Sequence, residues 1–295
     1  MDTIIQILAR ELGRSEAHVE NVVRLIDEGN TIPFIARYRK ELHGAMDDTA
    51  LRTLADRLQY LRNLDKRREE VKSAIEGQGK LTEELSAAID AAATLAEVED
   101  LYRPYRQKRR TRATVAREKG LEPLAELLFA QAADGPAPEE AAGAFVDPEK
   151  GVETAEDALQ GASDIIAERI SDDADIRKRL RELVWKKGYL VSAAAAKELE
   201  DTVYRLYYAF RSPLNRVQGH QVLAINRGER EGVLKVSVEM EREAALIPVR
   251  RAVLNPGAPA MAFVRAAAED AYDRLIFPSV EREMRGLLTE QADEG

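Results

Sequence analysis

Apolar residues recur at intervals of three or four along most of this chain and form a series of apolar stripes. The longest stripe is the sequence feature that most limits the folds available to the chain. It runs through residues 48–76, with Leu51, Leu54, Leu58, Leu61, Leu64, Val71 and Ile75. Because an α-helix turns every 3.6 residues, this spacing places the apolar side chains on one helical face. Asp47 predicts the beginning of the helix and Gly77 its end. The pattern therefore predicts a mainly α-helical, multi-helix array.

Composition agrees with a helical, water-exposed chain. Of its 295 residues, 45% are apolar, 33% are charged and 5% are aromatic, and Ala, Leu, Glu and Arg favour helices. Cysteine is absent, which excludes disulfides and thiolate metal sites. No apolar run is long enough to span a bilayer, and residues 1–14 lack the features of a signal peptide. We expect a cytoplasmic monomer that has no contact with a membrane.

Two short stripes near the N-terminus are typical of a helix-turn-helix module. Residues 4–12 end at Gly13, and a second stripe begins after Ser15 and ends at Gly29. The second stripe is acidic, whereas a recognition helix in the major groove of DNA needs basic residues. Packing explains the pair better than base recognition does, and both interpretations stay open here.

A first basic cluster follows this pair of stripes. Arg37, Arg39 and Lys40 lie within NTIPFIARYRKELHG, residues 30–44. They could form the solvated side of a short helix or a surface that faces phosphates. The sequence does not decide between these alternatives.

Composition also suggests how the chain is divided. Residues 1–130 form an N-terminal helical region, and residues 131–153, rich in Ala, Gly, Pro and Glu, predict a loose connection. A second helical region covers 154–215, with a last helix predicted over 199–210. Residues 216–295 are expected to hold a small β element near 220–250, followed by helices.

The β element rests on VLKVSVE, residues 233–239, where apolar and polar residues alternate as they do in a strand. A strand needs a partner, and residues 245–249 are the nearest candidate. Residues 222–225 fit either a short helix ended by Gly232 or one arm of a hairpin.

A basic segment, residues 102–119, carries eight lysines and arginines against one glutamate, although the whole chain has a net charge of −9. Pro104 should break the preceding helix and Thr114 should cap the next one. The planar guanidinium of arginine can donate two hydrogen bonds to one phosphate, and Tyr102 and Tyr105 could stack on bases. The alternative is intramolecular, since these cations could tie an acidic helical core together. The candidate nucleic-acid-binding residues here are Arg103, Arg106, Lys108, Arg109, Arg110 and Arg112.

Motifs of catalysis are missing from the sequence. His18, His43 and His220 are far apart and have no metal-ligand partner at helical spacing, and no Gly-x-Ser-x-Gly elbow occurs. Gln78 and Lys80 lie in a GQGK string that lacks the spacing of a phosphate-binding loop. We therefore expect no enzymatic activity, no metal and no cofactor.

Four long segments, in order, resemble the bacterial Tex family of transcription accessory proteins. They are NTIPFIARYRKELHGAMDDTALRTL (30–54), LYRPYRQKRRTRATVAREKGLEPLA (101–125), HQVLAINRGEREGVLKVSV (220–238) and AYDRLIFPSVEREMR (271–285). The resemblance implies a largely helical architecture with a split helix-turn-helix-like module. It also implies a nucleic-acid-binding role in transcription.

Tex-like proteins continue with an RNase H-like domain, a helix-hairpin-helix domain and a C-terminal OB-type RNA-binding domain. The chain is therefore expected to be an N-terminal fragment whose last helices lead to an absent RNase H-like domain. Two hypotheses follow. The fragment contacts RNA or DNA backbone through its basic residues, or it is a docking scaffold for RNA polymerase or another domain without touching nucleic acid.

Overall fold

The computed structural model describes residues 1–38, 40–107, 109–197 and 200–294. These residues form a mainly α-helical protein with one small antiparallel sheet, which confirms the predicted fold class. The chain divides into two compact units, an N-terminal unit of residues 1–102 and a C-terminal unit of residues 103–295.

Every secondary-structure element described in the N-terminal unit is a helix. Its helices are α1 (Ile4–Leu12), α2 (Glu16–Asp27), α3 (Ile32–Tyr38), α4 (Lys40–His43), α5 (Asp48–Gly77), α6 (Glu83–Ala91) and α7 (Leu95–Tyr102).

The long helix predicted from the leucine stripe is α5. The side chain of Asp47 accepts a hydrogen bond from the Ala50 amide and starts the helix. All seven apolar residues of the stripe are buried, and α1, α2 and α3 pack against α5. A 30-residue amphipathic helix thus organises this unit.

Residues 82–101, predicted as one helix, form the two helices α6 and α7. The capping residue Thr82 was predicted correctly, since its hydroxyl accepts from the Leu85 amide at 3.1 Å. The break comes from a second cap, because the Thr94 hydroxyl accepts from the Glu97 amide at 3.1 Å and begins α7.

The C-terminal unit mixes helices with the sheet. Its α-helices are α8 (Arg112–Glu118), α9 (Glu122–Ala130), α10 (Pro138–Ala142), α11 (Ala155–Ser171), α12 (Ala174–Lys187), α13 (Gly219–Arg230), α14 (Arg242–Val253), α15 (Met261–Asp270) and α16 (Phe277–Glu294). Its strands are β1 (Tyr189–Ala194), β2 (Ala209–Pro213) and β3 (Leu234–Glu239). Short 3-10 turns cover Arg103–Tyr105, Gly143–Phe145, Pro148–Lys150 and Arg205–Tyr207.

The sheet has the order β2-β1-β3, with both pairs antiparallel. The predicted strand is confirmed as β3, but its predicted partner, residues 245–249, is wrong because those residues lie in α14. β3 pairs instead with β1, with Leu190 opposite Val238. The pairing joins residues 40 to 50 positions apart, which no local pattern reveals. The segment before β3 is the helix α13, one of its two predicted forms.

The helix predicted over residues 199–210 is also wrong. Its described part contains a 3-10 turn at Arg205–Tyr207 and then β2. The segment is rich in aromatic residues, and Phe210 packs edge-on against Tyr207 while its backbone pairs with β1. Aromatic residues favour strands once a partner strand is present, and here tertiary pairing overrides the helical spacing.

A continuous apolar core fills the C-terminal unit, with α11 at its centre, packed on α8, α9 and α15. Residues 131–153, predicted to be a loose connection, contain α10 and two 3-10 turns and bury Ala142 and Val152 completely. At the other end, a π-helix (Ala271–Ile276) links α15 directly to α16.

Candidate nucleic-acid interface

The basic segment is an irregular stretch between two helices. The helix α7 ends at Tyr102, just before Pro104, as predicted. The cap of α8 is Thr111 and not the predicted Thr114, since the Thr111 hydroxyl accepts from the Thr114 amide at 3.1 Å. The arginines between these helices are therefore displayed on loop and 3-10 backbone.

This stretch forms one side of a cleft of about 700 Å³ within the C-terminal unit. The other sides come from α11, the beginning of α12, the π-helix and the beginning of α16. We call it the arginine cleft, because its described lining includes seven arginines against three carboxylates: Arg103, Arg106, Arg109, Arg112, Arg177, Arg274 and Arg282, with Asp164, Glu168 and Asp172. In a chain of net charge −9, this concentrates positive charge in one concave place.

Four of the six basic residues predicted in this segment line the cleft: Arg103, Arg106, Arg109 and Arg112. Arg110 does not, and its guanidinium forms an exposed ion pair with Glu118 at 2.9 Å. Lys108 lies outside the described residues. Arginines of the same basic segment thus differ in position, since four line the cleft and Arg110 does not.

The other predicted cluster belongs to the N-terminal unit. Arg37 is exposed at the end of α3, and Lys40 is exposed at the start of α4. Arg39 lies outside the described residues. Their assignment as nucleic-acid-binding residues stays a prediction, as does the helix-turn-helix role of α1 and α2.

Three arginines of the cleft were missed by sequence reasoning: Arg177, Arg274 and Arg282. No excess of positive charge surrounds Arg274 or Arg282, so no charge pattern marks those two. Arg177 does lie in a basic run with Lys178, Arg179 and Arg181, but that run is also explained by the solvated side of an amphipathic helix. Arg274 and Arg282 do lie within residues 271–285, one of the segments that resemble the Tex family, and their spacing of eight places them near one helical face. That resemblance was the available signal.

Arg177 forms part of the floor. It is 2% exposed, and it donates hydrogen bonds to the Ser279 hydroxyl at 2.8 Å and the Ser171 hydroxyl at 2.9 Å. It also donates to the Ser171 carbonyl. A buried guanidinium held by hydroxyls and a carbonyl provides a fixed positive charge beneath the cleft.

Glu168 fastens the wall that carries the basic segment. It accepts from the Thr111 hydroxyl at 2.9 Å and from Arg117 at 3.1 Å, so α8 is tied to α11. These bonds fix the N-terminus of α8, from which Arg112 enters the cleft. The Glu168 carboxylate therefore holds α8 against α11, and its role is not limited to offsetting the positive charge of the arginines.

Asp164 is the second carboxylate of α11 in the cleft, and it is 8% exposed. Burial raises the pKa of its carboxyl group, while a hydrogen bond from Gln160 and the charges of Arg274 and Arg112 act in the opposite direction. The arginines thus lie close enough to influence its ionisation.

The cleft has the chemistry of an anion-binding site. The Nε atom of Arg103 is buried without a hydrogen-bond partner among the described residues, and such a donor costs about 1–3 kcal/mol. Within the same described residues, no group of three or more histidine, aspartate or glutamate side chains is placed to hold a metal ion. Nor does any described helix have the length and apolar character to cross a bilayer.

Comparison with known proteins gives two family matches. Residues 134–295 match the Tex central region-like family, and residues 2–76 match the Tex-like protein N-terminal domain. Asp164, Arg177, Arg274 and Arg282 fall in the first match, whereas the basic segment lies between the two.

Individual relatives agree with these matches. The chain is 46% identical over 241 residues to "Protein tex" of Bordetella pertussis, covering 81% of this chain and 30% of that protein. It is 37% identical over 300 residues to "Transcriptional accessory protein Tex" of Neisseria gonorrhoeae, covering 98% and 39%. It is also 30% identical over 306 residues to human "S1 RNA-binding domain-containing protein 1", covering 98% and 30%. The chain thus spans less than half the length of these relatives.

Proposed function

The chain belongs to the Tex family, and on that basis we propose that its C-terminal unit binds the sugar-phosphate backbone of nucleic acid in the arginine cleft. The observation that carries the proposal is the convergence of seven arginines from five parts of the unit on one cleft. The names of the relatives, which refer to transcription and to an RNA-binding domain, support the same role.

The lining of the cleft favours backbone contact over base recognition. No aromatic side chain is found among its described lining residues, so it offers no stacking surface for bases. Arginine forks suit phosphate oxygens, which carry no sequence information. We propose that the unit holds nucleic acid with little sequence preference while other parts of a longer protein act, and that it catalyses no reaction itself.

The test is a salt titration with a three-site variant. Arg109, Arg112 and Arg282 line the cleft and are exposed, and neither Arg109 nor Arg282 has an ion pair with any described residue. If each neutralises one phosphate, changing all three to Ala makes the slope of log K against log salt shallower by about 2 for single-stranded RNA. Fluorescence anisotropy with a labelled oligonucleotide measures both affinity and slope.

The matched control removes the same charge elsewhere in the unit. Arg216, Arg230 and Arg251 are exposed and lie outside the described lining of the cleft. Their triple Ala variant should keep most of the affinity and most of the slope. Equal losses in the two variants would show that binding follows net charge alone and would refute the proposed site.

Docking of a protein partner such as RNA polymerase is the second candidate function. Val203 and Leu206 are 86% and 82% exposed, an unusual state for two aliphatic side chains so close in sequence. Both flank Tyr204, which is buried. Capture of RNA polymerase by the chain after nuclease treatment, lost when both residues are changed to Ser, would favour this function.

A further inference from the structure

A second cavity of the C-terminal unit lies at one end of the sheet and has a volume of about 760 Å³. Its described lining comes from the end of α12, from all three strands, from the beginning of α14 and from Phe277. We call it the sheet groove. It shares no described lining residue with the arginine cleft, so the binding proposed for the cleft makes no use of it.

The register of the sheet separates the charges of this groove. Tyr189 begins the central strand β1, with Glu239 of β3 directly opposite it. Arg211 of β2 is opposite Val191, two residues further along β1, so its side chain shares a sheet face with Tyr189. Because neighbouring strands are about 4.8 Å apart, the backbones that carry Arg211 and Glu239 are separated by about 10 Å. A cation and a carboxylate therefore flank an aromatic ring.

The charged groups of the sheet groove remain open to a ligand. Neither Arg211 nor Glu239 forms an ion pair with a described residue. The guanidinium carbon of Arg211 instead lies 4.0 Å from the centroid of the Tyr189 ring. Lys187 adds a second exposed cation and Glu241 a second exposed carboxylate, and both also lack an ion pair within the described part of the chain.

A nucleotide fits this combination of groups. A guanidinium that lies over an aromatic ring offers a flat surface on which a base stacks. The two cations suit a phosphate, whereas the two carboxylates accept hydrogen bonds from the amino group of a base. The arginine cleft has no aromatic side chain in its described lining, so the sheet groove supplies the stacking surface that the cleft lacks.

The helix α12 connects the two cavities. Arg177 near its beginning lines the arginine cleft, and Lys187 at its end lines the sheet groove. The ten positions between them correspond to about 15 Å of helix, which a stacked strand with a phosphate every 3.4 Å covers in about five nucleotides. Arg179 and Lys186 are exposed and seven positions apart, so they lie on one helical face. Glu182 lies between them, so this face is most positive toward its ends.

We propose that the sheet groove binds a base of the same single strand that the arginine cleft holds, with the base stacked on Arg211 and Tyr189 and the strand running along α12. This proposal rests on the proposed function and adds to it a second contact and a minimum length of strand. Cytosine suits the carboxylates better than uracil, because its amino group donates a hydrogen bond where uracil has an acceptor oxygen.

The first experiment compares short and long oligonucleotides. Affinities of the whole chain are measured by fluorescence anisotropy for oligocytidylates of 4 and 12 nucleotides, of which only the longer one spans both cavities. Tyr189→Leu keeps the net charge and an apolar side chain but removes the ring. It should weaken binding of the 12-mer about tenfold, the effect of one stacked base, and change binding of the 4-mer less than twofold. Arg211→Ala should have a similar effect.

Lys235→Ala is the matched control for Arg211→Ala. Lys235 is an exposed cation on the same face of the sheet, opposite Ala193, and lies outside the described lining of the groove. Its loss should change binding of the 12-mer less than twofold. Unchanged binding of the 12-mer by Tyr189→Leu and Arg211→Ala would overturn the proposal. Equal weakening of the 4-mer and the 12-mer would also overturn it, because one strand would then not join the two cavities.

The second experiment tests the carboxylates. The unaltered chain should bind a 12-mer of cytidylate about fivefold more tightly than a 12-mer of uridylate, the effect of one hydrogen bond to a charged group. Changing Glu239 and Glu241 together to Gln should bring this ratio close to one, because an amide both donates and accepts. A ratio that the double variant leaves intact would remove the carboxylates from the site.

The outcomes separate this proposal from the proposed function. If the Arg109, Arg112 and Arg282 variant loses binding of both oligonucleotides while Tyr189→Leu loses neither, the cleft binds backbone and only the sheet groove fails. If Tyr189→Leu weakens the 12-mer but the cleft variant does not, the cleft is not the binding site. Binding of cytidine monophosphate as tight as that of the 12-mer would show that the groove takes free nucleotides, which contradicts a shared strand. Circular dichroism of each variant identifies any loss of folding.

Discussion

Arg109 and Arg110 are adjacent and chemically identical, yet the structure gives them different roles. Arg109 lines the arginine cleft, whereas Arg110 turns toward Glu118. The difference arises because the stretch before Thr111 has no regular secondary structure, so each side chain follows its own local direction. At the scale of single residues, a binding role therefore depends on where the side chain points and which residue it pairs with. Counting charges in the sequence shows neither.

Glu11 provides a test of stability at the same scale. Its carboxylate accepts two hydrogen bonds from Arg57 at 2.8 Å, which joins α1 to α5. This pairing lowers the pKa of Glu11 in the folded state, although burial partly opposes it. Its contribution is therefore present above the unfolded pKa of about 4.3 and is lost as the pH falls through the lower folded value.

We expect Glu11→Gln to reduce the free energy of unfolding by about 0.5 kcal/mol at pH 7, as for other exposed ion pairs. The difference from the unaltered chain should shrink toward zero at acidic pH. Urea denaturation across this pH range measures it. Glu20→Gln, at an exposed position without an ion pair in the described chain, serves as the control. A difference that does not change with pH would contradict the assigned pairing.

At the scale of elements, the cleft depends on how closely α8 approaches α11. A Cβ atom on Gly161 would lie 2.2 Å from Leu121 Cδ1 and 3.3 Å from Ala116 Cβ. Leu121 is fully buried and has little room to move. The absence of a side chain at Gly161 therefore lets α8 and the following turn pack onto α11. That contact places Arg112 opposite Asp164.

This close packing predicts opposite effects for two helical glycines. Gly161→Ala gains helix propensity of up to about 1 kcal/mol but overpacks the contact at a cost of about 1–3 kcal/mol. We expect a net loss near 1 kcal/mol, which lowers Tm by about 3 °C. Gly286→Ala in α16 has open space around the new methyl group and should raise Tm.

Fluorescence of Trp185, the single tryptophan of the chain, follows unfolding of the C-terminal unit in both variants. The two glycines share the same substitution and the same secondary structure, so the comparison isolates packing. A higher Tm for Gly161→Ala would show that Leu121 can move aside.

At the scale of the whole molecule, the cleft belongs to one unit. Every described residue that lines it lies within residues 103–295, and so does the core on which its walls are built. The N-terminal unit has its own core around α5. The proposed binding activity should therefore be separable from the N-terminal unit.

We predict that a chain of residues 103–295 folds and binds single-stranded RNA with at least half of the affinity of the whole chain. The Arg109, Arg112 and Arg282 variant should weaken it to the same degree. Anisotropy titrations measure binding, and circular dichroism measures folding. A fragment that folds but does not bind would place essential contacts in the N-terminal unit, where Arg37 and Lys40 become the first candidates.

The sequence by itself determined most of the helices. Helix formation depends on residues three and four apart and on caps within the same turn, so the stripe of α5, its Asp47 cap and the break at Pro104 could all be read locally. The basic segment also revealed four arginines of the cleft. The resemblance of the chain to the Tex family agrees with the family matches on either side of that segment.

Only the tertiary structure decided the sheet and the composition of the cleft. The paired residues of β1 and β3 are 40 to 50 positions apart, and Arg177, Arg274 and Arg282 reach the cleft from helices distant in the chain. No local sequence shows that these three arginines meet, because their positions depend on which helix faces pack together.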